Sequence, residues 1–140
     1  MNLPIVSTLR TLLLVTLLCL GSMPAWSLSY VMMNDRDLLS TSPLLVRAEV
    51  AQALGARSGP AGIESVYQLR IQEQMKGASL PETVELVLPG GTLDSGIGEV
   101  SYGIPTLQAG QNLLLFAQRR DDGRLQAMQL TMGIFFRLQQ

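Results

Sequence analysis

A chain of 140 residues has room for one domain, and ten basic against eleven acidic side chains give it a formal charge of −1. So even a balance gives no electrostatic reason to seek nucleic acid or an anionic membrane, both of which need clustered Lys and Arg. There is no histidine, and the one cysteine, Cys19, lies in an apolar amino-terminal run, which excludes a Ser-His-Asp triad, a Cys-His nucleophile and the His-containing zinc sites from the rest of the chain.

Residues 1–27 read as a cleaved secretory signal peptide. Arg10 and the amino terminus supply a positive start, and Leu12 to Leu20 is apolar except for Thr16. That run is too short for the roughly 20 residues of a membrane-spanning helix. Ala25-Trp26-Ser27 puts small residues at −3 and −1, so cleavage is expected before Leu28. The residue before Cys19 is Leu18 rather than a small one, which argues against lipidation. Residues 28–140 are then a single exported domain, periplasmic or extracellular, with no membrane span after cleavage. Without a thiol its stability must come from packing.

Asn34 followed by Asp35 and Asp37 is N-cap chemistry and predicts one short helix over about 35–41, halted before Pro43. The Asp-x-Asp spacing also suggests a calcium loop, but Leu39 stands at the next ligand position and Ser40 replaces the turn glycine. From Leu44 the period is two: Leu44, Val46, Ala48 and Val50 share one face and Arg47 and Glu49 the other. Gly55 to Gly62 reads as a turn. A second strand places Tyr67, Leu69, Ile71 and Met75 inward and ends at Lys76-Gly77. Pro81 opens a third, with Val84, Leu86 and Leu88 alternating, closed by Pro89-Gly90-Gly91.

Residues 89–111 are rich in glycine and too long for a structureless loop in a compact domain, so a short strand is expected near Val100–Tyr102. The apolar run Leu113-Leu114-Leu115-Phe116 predicts a strand covered on both faces. Asp121-Asp122-Gly123 is a hairpin turn. Leu125–Leu130 and Ile134–Leu138 complete the strands, with Phe116, Phe135 and Phe136 expected in the core. The sum is an all-β fold of five or six mostly antiparallel strands with one short amino-terminal helix. A small barrel of the oligonucleotide/oligosaccharide-binding (OB) type removes the edge problem at this strand number; a β-sandwich is the alternative.

With these elements in place, the chain resembles a group of small exported bacterial β domains of uncharacterised function that occur alone and ahead of matrixin-type metalloprotease domains. The resemblance rests on Tyr30-Val-Met-Met-Asn-Asp35, Leu45-Val-Arg-Ala-Glu-Val50, Tyr67-Gln-Leu-Arg70 with Lys76-Gly77, and Val87-Leu-Pro-Gly-Gly91. It continues through Gly103-Ile-Pro105, Gly110-Gln-Asn-Leu-Leu-Leu-Phe116 and Gly133-Ile-Phe135. It implies an exported protein, such as a metalloprotease, as a partner. A fainter similarity runs to the OB-type domain of the tissue inhibitors of metalloproteinases, where a strand like Val46-Arg-Ala-Glu-Val50 precedes one ending in Lys-Gly. Those inhibitors use an amino-terminal cysteine and a disulfide framework, neither of which is present here, so the similarity implies a fold and not that inhibitory mechanism.

The remaining chemistry is sparse. A Ser-Lys dyad through Lys76 and Ser79 is arithmetically possible, but the two flank a turn. Asp121-Asp122 on a hairpin tip and Glu82 with Glu85 on a strand are solvated carboxylates rather than a glycosidase pair. Gly96-Ile-Gly98-Glu-Val-Ser101 grazes the dinucleotide fingerprint but lacks its third glycine and its helix. No catalytic residue, cofactor or metal site is therefore expected, and no nucleic-acid groove. What remains is a non-catalytic protein-binding module or, alternatively, a carrier holding a glycan or apolar molecule at the barrel mouth. The candidate contact segment is Gly90–Pro105, with Leu93, Ile97 and Tyr102 as contact residues. The competing expectation is that Leu93, Ile97, Val100 and Tyr102 fold back as a lid over one end of the barrel.

Overall fold

The computed structural model describes residues 33–129 and 132–137, together with Leu13. The chain divides into two units, Met1–Tyr30 and Val31–Gln140, and only the second is taken up below. Apart from Leu13, the expected leader and its cleavage before Leu28 lie outside the described residues, as do Leu130 and Leu138, the final residues of the last two expected strands.

The domain opens with helix α1 (Asp35–Thr41), capped as its sequence demands: Asn34 Oδ1 accepts from the Asp37 N–H at 2.9 Å. Asp35 and Asp37 sit in the first turn, where the helix dipole favours negative charge. Strands β1 (Leu44–Gly59) and β2 (Gly62–Lys76) follow as one long antiparallel ribbon, then β3 (Thr83–Pro89). The ribbon corrects the expected turn at Gly55–Gly62. Pairing runs on to Gly59 and Gly62, and only Pro60-Ala61 turns the chain. Gly55, at φ 89°, marks one of several register shifts instead of an end.

The two-residue strands β4 (Gly91–Thr92) and β5 (Gly98–Glu99) form a separate hairpin. The short strand expected at Val100–Tyr102 is thus displaced towards Gly98. The chain ends in β6 (Asn112–Arg119), β7 (Leu125–Ala127) and β8 (Ile134–Phe136). One sheet of six strands runs β1-β2-β3-β7-β6-β8, and β1 also pairs with β6. All pairings in it are antiparallel except β3 with β7, which is parallel. The fold is mostly β with one short helix after residue 33, and it is not a clean barrel. One edge of β6 is shared by β7 at Ala117–Arg119 and β8 at Leu113–Leu115. Between them the chain leaves the ladder, and Phe116 holds both sides of the gap. Its N–H donates to Gly133 O at 2.8 Å, and its carbonyl accepts from the Met128 N–H at 2.9 Å.

The alternation read from the sequence is what packs. Leu44, Val46, Ala48, Val50, Tyr67, Leu69, Val84, Leu86, Leu88, Leu113, Leu115, Leu125 and Ile134 join one buried cluster. Leu107, from the segment after the glycine-rich stretch, joins them. On the opposite face of β1 and β6, Leu38 of α1 packs onto Leu45 and Phe116, which are register partners. So β6 is covered on both faces, as its apolar run required. Met75 is the exception on β2: it is exposed rather than inward. Phe135 and Phe136 are also half exposed, not core, although Phe135 meets the Phe116 ring edge-on at 5.7 Å.

Candidate functional site

The glycine-rich segment is built from the ribbon outward. Ser65 Oγ donates to Gly90 O at 2.7 Å and the Gly90 N–H donates to Ile63 O at 2.7 Å, so the segment leaves β3 tied to β2. Gly91, at φ 136°, lies where a Cβ would come within 2.5 Å of Ser65 Oγ and 3.0 Å of Ala56 Cβ. Both its backbone angle and its lack of a side chain are used. The β4–β5 hairpin is closed by the Leu93 N–H to Ile97 O and the Gly96 N–H to Leu93 O, both at 2.8 Å.

Beyond β5 the chain makes a second tight turn, Ser101–Ile104, closed by the Ile104 N–H to Ser101 O at 3.4 Å. Gly103 supplies the positive φ, 78°, that a type II turn requires at its third residue. Tyr102 stands at the corner of that turn. Its exposure is 94%, with Val100 at 78% and Ile97 at 64%. The structure therefore overturns the lid expectation for these three side chains. Of the expected contact residues, Ile97 and Tyr102 project outward, while Leu93 is half-buried. The part that does fold back is Ile104, packed against the main core. A groove of about 280 Å³ lies under the segment, floored by Tyr67, Leu88 and Ile104 and edged by Ser101 and Thr106.

A second constellation escaped sequence reasoning. Arg120 and Glu64 form an ion pair at 2.9 Å, both largely buried, beside a cleft of about 230 Å³ lined also by Pro60, Val87 and Gln126. Arg124 Nε holds Glu85 at 2.7 Å, and Asp122 lies within 3.7 Å of both Arg120 and Arg124. These residues meet because β7 returns parallel to β3, a pairing that no local pattern announces. Each charge has a partner, so the network ties the β6–β7 hairpin to β2 and β3.

Lys76 is engaged elsewhere than at Ser79. Lys76 Nζ donates to Leu39 O at 2.7 Å and to Ser40 O at 3.4 Å, which makes it a cap on the carboxyl end of α1 instead of half a dyad with Ser79. Gly77 beside it, at φ 100°, lies against Pro43 and Leu44, where a Cβ would collide. The Lys76-Gly77 pair is a device for docking α1 and β1. Among the described residues no three His, Cys, Asp or Glu side chains converge as a metal ion would need. Nor is any described helix long and apolar enough to cross a membrane. No family model and no curated protein matches the chain.

Proposed function

We propose that this protein is an exported, non-catalytic module that binds another protein through the Gly90–Pro105 segment, on a scaffold of the OB-barrel type. The observation that carries the reading is the outward presentation of Ile97, Val100 and Tyr102 by two tight turns rooted on the β1–β2 ribbon. Exposed apolar side chains gathered in one place mark interaction surfaces, and tyrosine is among the residues enriched where binding energy concentrates. The scaffold reading is supported by the pairing order, in which β1 meets both β2 and β6 and β7 lies parallel to β3. A partner in the same compartment, such as a co-exported protease, is what the resemblance to domains preceding metalloproteases suggests.

Against a small-ligand carrier stands the filling of the interior. Leu69, Leu86, Leu115 and Leu125 are each wholly buried among their neighbours, so side chains occupy the space between the strands that a carrier would keep for its ligand.

Tagged residues 28–140, used as bait against the exported fraction, should retain a protein partner. The Ile97→Ser/Tyr102→Ser double variant should fold with an unchanged melting temperature and lose that partner. A melting temperature lowered by several degrees would instead make these side chains structural. Export is tested separately: amino-terminal sequencing of secreted material should find Leu28, and an intact Met1 in the membrane fraction would refute cleavage.

A further inference from the structure

The exposed turns stand next to the tip of the β1–β2 ribbon, and one side chain joins them. Glu99, on β5, reaches across so that its Oε2 accepts the Ile63 N–H at 2.8 Å. Gly62 makes room for it. At φ 130° it has a conformation that L side chains rarely adopt, and a Cβ there would lie 2.5 Å from the same carboxylate oxygen. The next residue, Glu64, carries the ion pair to Arg120 at 2.9 Å, which brings the β6–β7 hairpin to the same place. Three loops are thus cross-linked through consecutive residues of β2. The glycine-rich hairpin is held at its root by the Ser65 and Ile63 bonds to Gly90, and on β5 by the Glu99 carboxylate.

We propose that Glu99 is the positioning residue of the binding surface. It latches the β4–β5 hairpin onto the ribbon tip, so that Tyr102, Ile97 and Pro60-Ala61 form one preorganised, outward-projecting surface. This rests on the protein-binding reading above and narrows it. A surface that projects instead of receiving fits a folded protein with an apolar recess for Tyr102, not an extended peptide or a small molecule. Segments this rich in glycine lose much freedom on ordering. A latch that orders the hairpin beforehand removes that cost from the binding step. The acceptor, not the charge, is what the Ile63 N–H requires, so glutamine can replace glutamate and alanine cannot.

The test needs no partner. Residues 28–140 are exposed to chymotrypsin, with cleavage after Tyr102 followed by mass spectrometry, for the wild type, Glu99→Ala and Glu99→Gln. Cleavage requires the segment to leave its turn. Loss of the hydrogen bond should therefore speed it about tenfold in Glu99→Ala, while Glu99→Gln, which keeps an acceptor, stays within about threefold of wild type. Hydrogen exchange at Leu93 and Gly96 should rise in parallel in the alanine variant only, with the amides of Val46 and Leu69 unchanged. Wild-type cleavage rates in Glu99→Ala would overturn the latch. So would a glutamine variant as labile as the alanine one, or exchange rising equally at Val46 and Leu69. A latch confirmed by these measurements with no protein retained by the wild-type bait would leave the latch standing and refute the binding reading.

Discussion

Two glycines with different physical reasons for being glycine separate conformational from steric demands at the scale of single residues. Gly123, in the β6–β7 turn, has φ 84° and nothing within 4 Å of where a Cβ would be, so only its backbone angle is at stake. Gly133 has no such angle, but a Cβ there would lie 2.6 Å from Phe116 O, 2.7 Å from Met128 O and 2.9 Å from Met128 N. These are backbone atoms, and Phe116 is hydrogen-bonded to both Gly133 and Met128, so they cannot yield without breaking the seam between β7 and β8. Gly133→Ala should cost about 1–3 kcal/mol by overpacking, read as a lower denaturation midpoint. Gly123→Asn should cost a few tenths of a kcal/mol at most, because asparagine tolerates the left-handed region. Equal losses in the two variants would show that the seam is more yielding than its hydrogen bonds suggest.

At the scale of elements, β6 is the strand the rest is assembled around. It pairs with β1 on one edge and with β7 and β8 on the other, and it contributes Leu113, Leu115 and Ala117 to the main core and Phe116 to the packing of α1. Leu115 is wholly buried, so Leu115→Ala should destabilise by about 2–5 kcal/mol; an unmoved unfolding curve would refute this placement of the central strand. This element was legible in the sequence because a continuous apolar run has few other uses. The inward faces of β1, β2 and β3 were legible for the same reason, since a period of two admits one buried face. Helix α1 was legible from its cap. The end of β1 was not: glycine and serine in Gly55–Gly59 read as a turn, yet a two-stranded ribbon tolerates them through bulges. Phe135 and Phe136 misled in the other direction. An apolar run predicts burial only where something covers it, and β8 is a three-residue strand at the end of the sheet order.

At the scale of the whole molecule, the candidate surface was legible only as an anomaly of composition. Glycine density located the segment and its apolar residues, but whether they turned in or out depended on the turn at Ser101–Ile104 and on where the ribbon tip lay. The ion pairs from β2 and β3 to the β6–β7 turn were invisible, because they depend on a parallel pairing between strands far apart in the chain. What holds this assembly together follows from the covalent inventory. Residues 28–140 contain neither cysteine nor histidine, and the sheet is held by non-local pairing of strands that share one apolar cluster. Elements that depend on a common core should melt together, in one transition whose calorimetric and van't Hoff enthalpies agree. That transition should be the same with reductant, because no disulfide is available to reduce. It should also be the same with EDTA, because a bound metal would stabilise the folded state in proportion to its occupancy, and Asp35 and Asp37, the pair closest to a calcium spacing, flank a helix end where Asn34 already supplies the cap. The measurement is a calorimetric scan with and without each reagent. A midpoint lowered by several degrees in EDTA alone would reveal a carboxylate-bound cation and would direct attention to the acidic residues of α1 and the β6–β7 hairpin.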